Sequence, residues 1–167
     1  MAGAGESLVR GLSKNNTTMT DSRASCSRRN FDGGCDCGAI GFALQTALPV
    51  MRWSVRACQC GFCRAHGART TSDPAGHLMF DIRQVEWLQR YRFGQRTADF
   101  LLCSRCGVYL GAQIATARGA FGIVNTLALM PVPAGLPAAA AADYGSESPG
   151  ERVARREQRW TPLAAVV

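Results

Sequence analysis

From Phe31 onward the chain breaks into short runs in which every second residue is apolar. In CGAIGFALQ the residues Ile40, Phe42 and Leu44 share one face; in RWSVRAC the face is Trp53, Val55 and Ala57, and in HLMFDI it is Leu78, Phe80 and Ile82. The same period of two returns in VEWLQRY, ADFLLC, VYLGAQI and FGIVNTL, each run bounded by Gly, Pro, Asp or Asn. Successive side chains of an extended strand point to opposite faces, so six or seven such runs predict an antiparallel, mainly β domain. No window between residues 35 and 129 keeps an apolar i, i+3, i+4 pattern for three turns, which excludes a helical core.

The flanks read differently. Residues 1–30 are rich in Ser, Thr, Asn, Gly and Arg without a hydrophobic period and are expected to be a disordered leader, with Met19 a second possible start. The β domain is assigned to 31–130 and a linker with a helical extension to 131–167. PVPAGLPAAAAA, after Leu129, is expected to be a linker or extended crossing segment rather than a strand, because of its prolines. SPGERVARREQRW then opens with Ser148 as N-cap, Pro149 at N1 and Glu151 at N3, a capping box that predicts a short C-terminal helix. Val153 and Trp160, seven apart, are expected to dock it on the sheet.

Composition adds two facts to this outline. The chain of 167 residues carries a net charge of +7, almost all of it from arginine. Nine arginines fall between residues 52 and 105 against four acids. Such an excess attracts an anionic small molecule or nucleic acid. No RNA- or DNA-reading motif accompanies it, which argues against nucleic acid.

The second fact is eight cysteines, at 26, 35, 37, 58, 60, 63, 103 and 106. All but Cys26 fall in tight clusters, C-x-C, C-x-C-x-x-C and C-x-x-C, spacings that suit shared coordination of an ion better than disulfides. The N-terminus has no apolar run long enough for a signal peptide, and no stretch approaches a membrane span, so a cytoplasmic chain without membrane attachment is expected.

Zinc takes four protein ligands at a closed structural site and three at a catalytic site that keeps one position open. Seven clustered cysteines divide accordingly. Cys35 and Cys37 with Cys103 and Cys106 make a closed set joining the first strand to a late one, and Cys58, Cys60 and Cys63 make an open one. A competing division pairs Cys63 and one of Cys58 and Cys60 with Cys103 and Cys106 and strands Cys35 and Cys37. An iron–sulfur cluster is a further alternative, since its ligands are also thiolates.

Gly33-Gly34-Cys35-x-Cys37-Gly38-Ala39-Ile40, Cys58-x-Cys60-x-x-Cys63-Arg64 with Gly67, and Phe100-Leu101-Leu102-Cys103-x-x-Cys106-Gly107 with Leu110 together resemble the glutathione-dependent formaldehyde-activating enzyme (GFA) family, which includes relatives of centromere protein V. The resemblance spans about Gly33 to Leu129. It implies an antiparallel β-tent zinc-binding fold, two zinc ions divided four plus three, one structural and one catalytic, and carbon–sulfur lyase chemistry on thiol–aldehyde adducts. Its typical reaction interconverts glutathione and formaldehyde with S-hydroxymethylglutathione. Asp36 departs from the family pattern, in which an uncharged residue or histidine is usual there; it is expected to face solvent. The leader, Cys26 and the Ala/Pro segment lie outside the pattern.

Around the open site, Arg64 is a candidate to pair a substrate carboxylate bidentately, and His66 a candidate proton shuttle near neutral pH. His77 and Cys26 are given no role. The alternative to an enzyme is a zinc-stapled binding module for nucleic acid or protein, in which the basic charge does the work and the three-cysteine set is structural. A steep loss of affinity with salt through counterion release separates that module from a thiol enzyme.

Overall fold

The structure, a computed structural model, describes residues 27–167; residues 1–26 of the expected leader, including Met19 and Cys26, lie outside the described residues, whereas Arg29 and Asn30, assigned to it as well, already belong to the first strand. The strands are β1 (Arg29–Gly34), β2 (Ile40–Thr46), β3 (Arg56–Cys58), β4 (Thr70–Thr71), β5 (His77–Ile82), β6 (Leu88–Tyr91), β7 (Asp99–Cys103), β8 (Tyr109–Thr116), β9 (Gly119–Asn125), β10 (Ala140–Ala142) and β11 (Thr161–Pro162). Helix α1 (Gly61–Ala65) is a little over one turn, and α2 (Pro149–Arg159) covers three.

Two sheets result. The smaller runs β1-β2-β5, antiparallel throughout. The larger runs β10-β3-β4-β9-β8-β7-β6, with β11 pairing β9 beside β4. The alternation read from the sequence holds where one face is wet. In β5, Leu78 and Phe80 are buried while His77, Met79 and Asp81 are exposed. In β8 six successive residues from Tyr109 are buried because both faces are covered. Leu110 joins the main core, in which Ile40, Phe42, Leu44, Leu78 and Phe80 of the small sheet meet Leu101 and Val124 of the large one. Ala112 and Ile114 pack instead with Trp160, and Tyr109 with Cys63 and Ala68.

Some expected strands are shorter than their patterns. Trp53 and Val55 are buried, but the strand begins only at Arg56, after a tight turn at Val50–Arg52. Val85–Trp87 is likewise a turn that leads into β6.

The larger correction concerns the alanines. Ala140–Ala142 is a strand, paired parallel to β3 with Ala140 opposite Arg56 and Ala142 opposite Cys58. Alanine has little strand preference of its own, but β3 offers an unpaired edge, and tertiary context decides such cases. The segment 131–167 thus adds β10 and β11 to the same large sheet, with α2 between them in sequence. Both halves of the Ser148/Glu151 capping box form. Of the two residues expected to dock the helix, Trp160 is buried and Val153 half-buried, with Arg156 between them more buried than Val153.

β8 and β9 approach closely at Gly111, where a Cβ would sit 2.1 Å from the Ile123 carbonyl oxygen. Backbone cannot yield as a side-chain tip can. Gly111→Ala is therefore expected to cost at least ~3 kcal/mol, at or above the usual range for overpacking, read as a lowered urea midpoint with unchanged slope.

Candidate functional site

Two hairpin loops, one from each sheet, bring four thiols together. Cys35 and Cys37 lie in the β1–β2 loop, closed by the Cys35 N–H donating to Ile40 O and the Gly38 N–H to Cys35 O. Cys103 ends β7 and Cys106 lies in the β7–β8 loop, closed in the same way by Cys103 N–H to Val108 O and Gly107 N–H to Cys103 O. Gly38 and Gly107, at φ 75° and 77°, supply the left-handed turn after each pair. All four sulfurs lie within 4.8 Å of one another. Cys37 Sγ is 3.6 Å from Cys35 Sγ and 3.5 Å from Cys103 Sγ.

Sulfurs around one tetrahedral zinc with ~2.3 Å bonds are ~3.8 Å apart, close to the two shortest separations here, so the donor set suits such an ion. The described cysteines are all free of disulfides. Burial pushes the Cys103 thiol up to about 12 and raises Cys35 as well, so a divalent cation is what would hold these groups as thiolates. Asp36 is exposed, as expected.

The second cluster is built from one continuous segment. Cys58 ends β3, Cys60 is the N-cap of α1 with its sulfur accepting the Cys63 N–H at 3.4 Å, and Cys63 is buried inside the helix. The three sulfurs also lie within 4.8 Å of one another. Hydrogen bonding from Cys63 lowers the Cys58 thiol to about 5, with the positive charge of Arg152 contributing, and the same pairing raises Cys63. The structure thus places the seven cysteines in the four-plus-three division, and both clusters can hold a metal ion.

A cavity of about 360 Å³ opens beside the three-cysteine cluster, within the size range of small-molecule sites. Cys58, Cys60 and Gly61 line one side, Phe93 and Phe100 another, and Arg152, Arg155 and Arg156 of α2 a third. Arg155 is committed: its Nε and Nη2 donate to the two Glu147 carboxylate oxygens at 2.6 and 2.9 Å, and its guanidinium lies 3.7 Å over the Tyr144 ring. Arg156 is 6% exposed, and its Nη1 donates to Thr97 O and Oγ1. Burial and the neighbouring Arg155 and Arg152 lower it to about 10. Beneath, a recess of about 50 Å³ is lined by Cys58, Cys63, Tyr109 and Arg156. Tyr109 is buried among Phe62, Phe100 and the cysteines, and its hydroxyl has no hydrogen-bond partner among the described residues.

Arg64 and His66 are not part of this cavity. Both are exposed, Arg64 in the last turn of α1 and His66 as its C-cap, and neither lines the cavity. His66 Nδ1 lies 2.9 Å from Phe62 O, and the ring stacks on Phe62 at 4.1 Å. The basic groups that do face Cys58 come from α2, nearly a hundred residues later. No local pattern signals them; the arginine content of the helix was visible, but its position depends on β10 pairing with β3.

Glu147 fixes one edge of this wall. Its carboxyl is held below the usual range by the hydrogen bonds from Arg155, so its contribution to stability is present above the ordinary value near 4.5 and lost as pH falls below it. Amide exchange in α2 is expected to accelerate below that pH before the main sheet responds, and Glu147→Gln to remove this acid dependence.

Among the described residues no helix is long and apolar enough to cross a membrane. No protein-family model matches the chain. A crystal structure of a protein from Rhodobacter sphaeroides is similar, with 30% sequence identity over 66% of this chain and 99% of that one and a TM-score of 0.51. That similarity supports the fold.

Proposed function

We propose that the protein is a zinc-dependent carbon–sulfur lyase of the GFA type, in which Cys35, Cys37, Cys103 and Cys106 hold a structural zinc and Cys58, Cys60 and Cys63 a catalytic one. The observation that carries this reading is the three-thiol cluster beside a cavity: three sulfurs converge, and a space of substrate size adjoins two of them, Cys58 and Cys60. A zinc ion bound there would supply a position that keeps a substrate thiol deprotonated at neutral pH. Cys58, more acidic than Cys63, lines the cavity together with Cys60. Phe93 and Phe100 exclude water from one wall, which strengthens every electrostatic contact inside.

The reaction this suits is addition of a thiol such as glutathione to formaldehyde. A sulfur–carbon bond forms, the carbonyl π bond becomes an alkoxide, and the proton given up by the thiol ends on that oxygen, giving S-hydroxymethylglutathione; cleavage is the reverse. Tyr109 packs with Cys63 beneath the cavity, and burial raises its hydroxyl so that it keeps its proton there.

The test is exchange between glutathione and its formaldehyde adduct, followed by NMR against buffer and against Cys58→Ser, because the uncatalysed addition is itself appreciable. The wild type should exchange faster than both. Equal rates across a panel of thiol adducts, with DNA or RNA bound along a steep salt slope, would favour the binding module instead.

A further inference from the structure

The cavity wall formed by α2 carries more positive charge than its partners neutralise. Glu147 spends both oxygens on Arg155. Arg152 Nε sits 3.6 Å from Glu147 Oε2, an ion pair too long for a hydrogen bond, and is buried without a hydrogen-bond partner among the described residues, while its Nη2 donates to Tyr144 O. Arg156 Nε is buried without one as well. Asp143, the other acid at the cavity, is exposed at its rim and accepts the Gly145 N–H. Two guanidinium groups therefore line a half-enclosed space in which three arginines share the one Glu147 carboxylate, and partly buried positive charge in such excess is costly unless a further anion completes it.

We propose that Arg152 and Arg156 form a carboxylate-binding subsite, so that the ligand of this cavity is a thiol acid whose sulfur reaches the Cys58, Cys60 and Cys63 cluster while its carboxylate is held by α2. A guanidinium matches a carboxylate with paired donors, and each such charge-assisted contact is stronger than a neutral one. The placement sets a length as well as a charge. The two ends of the ligand must span one cavity of about 360 Å³, from its cysteine side to its arginine side. The thiol end of this assignment rests on the function proposed above; the carboxylate end does not.

The experiment is calorimetric titration of the full-length protein, as purified with its metal, using 3-mercaptopropionate, its neutral counterpart 3-mercaptopropan-1-ol, and 3-(methylthio)propionate, whose sulfur is blocked. The wild type should bind the acid roughly tenfold or more tightly than the alcohol, as expected of charge-assisted hydrogen bonds. Arg152→Gln should shrink that ratio to about threefold or less, and should weaken the blocked acid as well. Arg156→Lys, which keeps the charge near Thr97 but loses the fork, should reduce the ratio even if Arg156→Gln does not fold. Equal affinity of the wild type for acid and alcohol overturns the subsite, as does a ratio that survives both variants. Failure of the catalytic reading is distinguishable: a protein without exchange activity whose acid preference still depends on Arg152 keeps the subsite and loses the lyase assignment. Exchange activity without acid preference does the opposite.

Discussion

Cys103→Ser is expected to leave no cooperatively folded domain. Cys103 is fully buried at the end of β7, in the same core as Ile40 and Leu101, and its sulfur is one of four drawn from loops of both sheets. A serine hydroxyl does not ionise in that setting, so the variant loses a ligand and places a polar group in the core. Structural zinc contributes an apparent ~10–16 kcal/mol to folding, against a typical total stability of about 5–15 kcal/mol. Far-UV circular dichroism and thermal melting should show loss of the transition, with Cys106→Ser behaving alike. A Cys103→Ser protein that retains its metal and melts within a few degrees of the wild type would mean that this cluster does not join the sheets.

Cys63→Ser should separate metal from fold. Wild-type protein purified without oxygen is expected to carry about two zinc ions per chain, from the preference for four ligands at one site and three at the other. The variant should carry one fewer and exchange thiol adducts at the buffer rate. Cys63 packs in a small cluster with Ala68 and Tyr109, apart from the main core, on a helix of little more than one turn. Its loss should thus lower the melting temperature by only a few degrees. Iron with sulfide in the wild type would replace the zinc assignment, and a collapse equal to that of Cys103→Ser would make both clusters structural.

What the sequence revealed of this site follows from how local each signal is. A ligand pair separated by one or two residues and followed by glycine is a hairpin loop whose geometry is settled within five residues, so Cys35-x-Cys37-Gly38 and Cys103-x-x-Cys106-Gly107 could be read directly. The division of the seven thiols needed only the further step that the two loops meet. Arg64 shows where nearness in sequence fails: it follows the ligand Cys63, yet one helical step carries it to the surface. Arg152 and Arg156 could not be read because their place depends on three alanines adopting a strand that their own preferences do not specify. The same alanines made 131–167 look like an appendage. Burial was legible where one face is wet, as in β5, and illegible in β8, where both faces are covered.

The parallel pairing of β10 with β3 also sets an order of events during synthesis. Cys58, Cys60 and Cys63 leave the ribosome long before Ala140–Ala142 can form hydrogen bonds with β3, and contacts between positions so distant along the chain form late. Until then the strand edge at Cys58 lies open and the α2 wall is missing, so an ion can reach the three thiols from a side that the finished protein covers. Closure comes after the three thiols have been made, because the wall that covers them follows nearly a hundred residues later.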